Sequence, residues 1–75
     1  MKELVEYIAK AIVNSPDDVV VTEETGDQGV MLKLQVADED KGRVIGKQGR
    51  VAEAMRTLLR VTAAKQGVRA ILEIL

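Results

Sequence analysis

The sequence contains no cysteine and no histidine, a single proline (Pro16) and a single aromatic residue (Tyr7). Without thiols or imidazoles, disulfides and the usual zinc sites are excluded, and with them any reaction that needs a cysteine nucleophile or a histidine base. Such a chain suits a reducing compartment. One tyrosine is too little for the aromatic platforms on which RRM and OB folds stack unpaired bases. No apolar stretch approaches the roughly 20 residues that span a bilayer. The opening Met1-Lys2-Glu3-Leu4 has no signal-peptide pattern, so the cytoplasm is the expected compartment and no membrane partner is expected.

A large excess of one charge is also missing, since the formal net charge is −1. The balance is nevertheless uneven. Residues 41–60 hold Lys41, Arg43, Lys47, Arg50, Arg56 and Arg60 against Glu53 alone, a local +5 that leaves −6 for the remainder. This argues for one electropositive site and against a basic protein that coats polyanions indiscriminately. An apolar content of 47% with charges of both signs throughout describes a globular chain, and 75 residues make one domain, 1–75, with one modest core. Its expected stability is roughly 4–11 kcal/mol at typical per-residue values.

Periodicity divides the chain. From Glu3 to Val13, Leu4, Val5, Ile8, Ala9, Ile12 and Val13 recur at helical spacing, with Lys2, Glu6 and Lys10 as i,i+4 pairs on another face; Asn14-Ser15-Pro16 ends the helix. Val19 to Thr25 is β-branched enough for a strand, Gly26-Asp27-Gln28-Gly29 has hairpin-loop composition, and Val30 to Ala37 alternates as a strand with one face on a core. Antiparallel pairing of the two is expected. Asp38 reads as an N-cap with Glu39 and Asp40 in the first turn of a short helix running to about Ile45. These carboxylates are assigned to capping, with no second cluster to suggest a magnesium site. A long helix follows from Arg50 to about Gln66, closed by Gly67, and Val68 to Leu75 makes a last strand.

The long helix has more apolar surface than it needs. The arc through Val61, Ala54, Leu58, Val51, Thr62, Met55, Leu59, Ala52 and Ala63 covers about 200°, against the stripe of about 100° that a surface helix buries. Either the helix lies between the sheet and the first helix, or its Ala52, Leu59 and Ala63 edge meets a ligand or a second protein.

Between the short and long helices stands Val44-Ile45-Gly46-Lys47-Gln48-Gly49-Arg50. Two glycines around two polar residues make a tight, exposed turn that can present bare backbone N–H groups. At the N-terminus of the following helix those donors and the helix dipole favour a phosphate, and Lys47 and Arg50 add charge. A plain corner between two helices would also want small residues here.

The order helix, strand, strand, helix, Gly-x-x-Gly, helix, strand, with Val44-Ile45 before the glycines, resembles a type II KH domain over essentially the whole chain, and looks most similar to the KhpA family of small bacterial single-KH proteins. The resemblance implies an α+β fold of order α-β-β-α-α-β, with a three-stranded sheet covered on one face by three helices. It also implies a non-enzymatic RNA-binding protein without cofactor or metal, an RNA chaperone or adaptor for single-stranded RNA. Homodimers, or heterodimers with a larger KhpB-like KH protein, are implied too, in a role linked in some bacteria to cell elongation and cell-wall synthesis. Carried onto this sequence, Gly46, Lys47, Gln48 and Gly49 clamp the RNA backbone, while Arg43, Val44, Ile45, Arg50, Val51 and Ala52 surround a groove for unpaired bases. Ala52 departs from the bulky aliphatic residue that many KH domains carry there, which implies weaker apolar contact with bases. Dimerisation is expected at Ala52, Leu59 and Ala63.

Two other classes compete. A protein-interaction module with a vestigial turn draws on the wide long helix, but the basic cluster at 41–50 speaks against it. An enzyme finds little support: Ser15 has no base in view, and neither a Walker pattern nor Gly-x-Gly-x-x-Gly is present.

Overall fold

The computed structural model describes residues 1–27 and 29–75, so Gln28 of the expected hairpin loop lies outside the described residues. Three helices and three strands alternate as α1 (Lys2–Ile12), β1 (Val20–Gly26), β2 (Gly29–Gln35), α2 (Lys41–Ile45), α3 (Arg50–Gln66) and β3 (Ala70–Ile74). Short 3-10 turns at Pro16–Asp18, Asp38–Asp40 and Lys47–Gly49 join them. Element order and fold class are those expected.

The sheet has the order β1-β2-β3. β1 and β2 pair antiparallel, with Val21 opposite Leu34 and Glu23 opposite Leu32. β2 and β3 pair parallel, with Leu32 opposite Leu72. Parallel neighbours need a long crossover, which α2 and α3 supply. All three helices lie on one side of the sheet, because only that side carries the inward residues of the strand alternation. Val21, Leu32, Leu34 and Leu72 meet Val5 and Ala9 of α1, Val44 of α2 and Met55 and Leu59 of α3 in one core. Leu32 and Leu34 on the central strand are completely buried. The other face stays in water, with Thr22 opposite Lys33, Lys33 opposite Glu73, and an ion pair of 3.7 Å from Lys33 to Glu24.

The ends of the elements follow local chemistry. Val13 is extended at the end of α1, two residues ahead of the Ser15-Pro16 step that bars further helix. α3 stops at Gly67, whose N–H bonds the Ala64 carbonyl at 3.1 Å while the Val68 N–H bonds that of Ala63 at 2.9 Å. This is the paired closure of a left-handed cap. It turns the chain back toward β3, which begins two residues later than the alternation from Val68 suggests.

Candidate nucleic-acid interface

The approach to the glycine turn is anchored in an unexpected way. Asp38, Glu39 and Asp40 make no side-chain cap to their own helix. Asp38 instead pairs with Lys41 at 3.2 Å, and Glu39 accepts a hydrogen bond from the Ser15 hydroxyl at 3.3 Å. Asp40 is fully buried, and its two carboxylate oxygens accept the backbone N–H groups of Asn14 and Ser15, each at 3.1 Å. The capping role assigned from sequence is thus corrected: Asp40 serves the corner after α1, across the fold.

The turn itself requires glycine. The Gly46 N–H bonds the Gly42 carbonyl at 2.8 Å, and the backbone then leaves the helix at φ 79°, ψ 171°. That conformation is essentially closed to L-residues with a side chain. Gln48 (φ 59°, ψ 26°) and Gly49 (φ 74°, ψ 13°) follow in the left-handed region. For Gln48 this costs about 1–2 kcal/mol, and such strain gathers at ligand clamps. The Gly49 N–H bonds the Gly46 carbonyl at 3.1 Å and the Arg50 N–H bonds that of Lys47. Among the described residues no backbone acceptor takes the N–H groups of Lys47 and Gln48.

Charge is concentrated more tightly than the +5 segment suggests. Lys41 is paired with Asp38 at 3.2 Å, Arg43 with Asp40 at 3.8 Å, and Arg56 and Arg60 both with Glu53 at 3.7 Å. Among the described residues of that segment, Lys47 and Arg50 have no ion pair, and both are exposed. Free N–H groups, two unpaired cations and the head of a 17-residue helix therefore coincide at one point. Nothing there is arranged for proton transfer or nucleophilic attack, and no cluster of metal-ligating side chains occurs among the described residues.

The other residues singled out from sequence are divided by burial. Ile45 is exposed beside the turn, and half-buried Val51 lies against Gly46. Val44 is completely buried and supports the turn from the core. Ala52 is only 3% exposed, so it cannot face a base groove; Leu59 and Ala63, each 1% exposed, are likewise core. The dimer face expected at Ala52, Leu59 and Ala63 is therefore corrected, because those side chains are consumed within one chain. The surplus apolar arc is the opposite edge, Ala54, Leu58 (49% exposed) and Val61 (51% exposed).

One feature escaped the sequence. A cleft of about 170 Å³ opens between α3 and β3, lined by Leu59 and Leu72, by Arg56 and Arg60, and by Ala70 and Ile71 of the edge strand. The i,i+4 arginines were visible as charge, but β3 alternates like any core strand and gave no sign of a lining role. A larger concavity of about 520 Å³ lies at the far end of α3, between Thr25–Asp27 and Gly67–Arg69, remote from the turn.

Among the described residues no helix is long and apolar enough to cross a membrane. The family model of the KhpA/KhpB KH domain matches residues 2–74. The chain is 52% identical to the RNA-binding protein KhpA of Clostridium acetobutylicum and 53% identical to that of Caldanaerobacter subterraneus, each over the full length of both chains. Against the RNA-binding protein KhpA of Aquifex aeolicus it is 47% identical, covering all of this chain and 95% of the relative. No solved structure matches the chain. With the family model matched through nearly every residue and relatives about half identical over their full length, the chain belongs to the KhpA/KhpB KH-domain family.

Proposed function

We propose that this chain binds single-stranded RNA, with the turn Gly46–Arg50 as the clamp on the sugar-phosphate backbone. The observation that carries the reading is the meeting of unpaired N–H groups and unpaired cations at the head of α3. Curated relatives over the whole chain that are named RNA-binding proteins support it. Unpaired bases then follow the cleft between α3 and β3, along its accessible rim of Arg56, Arg60 and Ile71, with buried Leu59 and Leu72 as its floor. Phosphate contacts carry little sequence information and one short cleft reads few bases, so binding is permissive, as suits an RNA chaperone or adaptor.

Replacing Lys47 and Gln48 together by Asp tests the clamp. Both side chains are exposed, so the fold stays intact while negative charge occupies the phosphate position. Anisotropy titration with single-stranded RNA is expected to show binding lost. A double variant that binds as tightly as the parent overturns the assignment.

Association is the second element of the proposal, and the exposed Ala54, Leu58 and Val61 edge favours it. A second copy of the chain is the proposed occupant, with a KhpB-like protein as the alternative. Two turns on one particle raise affinity for longer RNA by effective concentration alone.

A further inference from the structure

Asp40 is the buried charged residue among the described residues, and neither helix capping nor the glycine turn accounts for it. The long-range side-chain hydrogen bonds of the described residues all converge on it and its neighbour, from Asn14 and Ser15 to Asp40 and from Ser15 to Glu39. A carboxylate without water must have its charge met by protein groups. Two amides do part of this, and the Arg43 Nε at 3.8 Å from Oδ1 supplies the opposite charge. Arg43 lies one turn beyond Asp40 in the helix that is bonded straight into the glycine turn through Gly42 and Gly46.

We infer, on the basis of the RNA reading above, that Asp40 is a positioning residue for the RNA site: it locks the head of α2 to the corner after α1 and retains Arg43 as its counter-ion. RNA thus meets Lys47 and Arg50 and not Arg43. Moving the guanidinium to a phosphate would leave the two amide hydrogen bonds alone to meet a fully buried carboxylate, a penalty set against a phosphate contact in water. Arg43, expected from sequence beside the base groove, is accordingly reassigned as the half-exposed counter-ion of a buried carboxylate.

The test is a titration of a labelled single-stranded oligouridylate at 50 and 200 mM salt, with the parent, Arg43→Gln, Asp40→Asn and the double variant. Arg43→Gln is expected to leave the salt slope unchanged. Asp40→Asn frees Arg43 and steepens the slope by about 0.7, an extra loss of about 2.6-fold in affinity between the two salt concentrations. The double variant returns to the parental slope. A purely architectural Asp40 would change affinity at every salt concentration without changing slope, and that result overturns the inference. So does a parental slope that flattens in Arg43→Gln. If circular dichroism shows Asp40→Asn or Arg43→Gln unfolded, the parent's Arg43 Nε–H resonance still decides: it stays in place as RNA is added while that of Arg50 shifts. An Arg43 signal that moves with RNA rejects the inference alone, whereas a parent that binds no RNA rejects the RNA reading and this inference with it.

Discussion

Val51 occupies the space that a side chain on Gly46 would need: a Cβ placed on Gly46 falls 2.7 Å from the Val51 Cβ and 2.8 Å from its amide nitrogen. Gly46 is thus constrained twice, by a conformation closed to other residues and by the first turn of α3 closing against it. Gly49 is constrained once, since nothing lies within 4 Å of a Cβ there and only its φ of 74° objects. Gly42 is constrained by neither, being helical with open space around it. A three-variant alanine series should separate these effects. Gly42→Ala is expected to stabilise by about 0.4–1 kcal/mol, Gly49→Ala to destabilise by about 1–2 kcal/mol, and Gly46→Ala to cost more than Gly49→Ala. Urea unfolding of the three variants checks the order, and equal midpoints for Gly46→Ala and Gly49→Ala would refute it.

Asp40→Ala tests the corner energetically. It removes the acceptors of the Asn14 and Ser15 N–H groups and the counter-ion of Arg43 at once. Leaving the two part-buried N–H groups without their acceptor costs about 1–3 kcal/mol each, against a total stability of roughly 4–11 kcal/mol for a chain of this size. The variant should be largely unfolded at modest urea concentrations. Asp38→Ala, which loses one exposed pair with Lys41, should stay within about 0.5 kcal/mol of the parent.

Salt dependence reads the number of available cations. With Arg43, Arg56 and Arg60 each held by a carboxylate, Lys47 and Arg50 neutralise about two phosphates, and at about 0.7 per contact the slope of log K against log salt is near −1.4. Titrations across a range of salt measure it directly. A slope steeper than about −5 would mean a much larger charged footprint, such as one strand crossing both subunits of a dimer.

Much of this arrangement is legible in the sequence. Alternation in Val30–Val36 fixed the buried face of the central strand, and the glycine spacing located the turn between α2 and α3, because both signals are local. Asp40 was not legible, since its partners stand 25 and 26 residues away and a carboxylate ahead of a helix looks like a cap whatever it does in space. The cleft between α3 and β3 was hidden for a related reason: it exists only where β3 comes alongside α3. Helical periodicity gave the width of the apolar arc on α3 but not which edge faces inward. That choice is made by the parallel strand pairing, which seats Leu72 beside Leu32 and draws Leu59 into the core with them.

The same correction decides where association should be disrupted. Ala54, Leu58 and Val61 stand at i, i+4 and i+7 on the outer side of α3, a seam that a second helix can cover. Each Leu58 fully buried in such a contact contributes about 1.5–3 kcal/mol, and a two-fold pairing uses it twice. Leu58→Glu is therefore expected to leave the circular dichroism spectrum intact and to turn a dimer into a monomer in sedimentation. Leu59→Glu, one residue on, places a carboxylate without a partner at a site only 1% exposed and is expected to unfold the chain. Leu59→Ala measures the core role alone, at about 2–5 kcal/mol. A folded Leu58→Glu variant that still sediments as a dimer would exclude this edge. A parent that stays monomeric at high protein concentration would reject self-association and leave the edge to a larger KH-containing partner, for which the same substitution predicts loss of the mixed complex with RNA binding by the isolated chain unchanged.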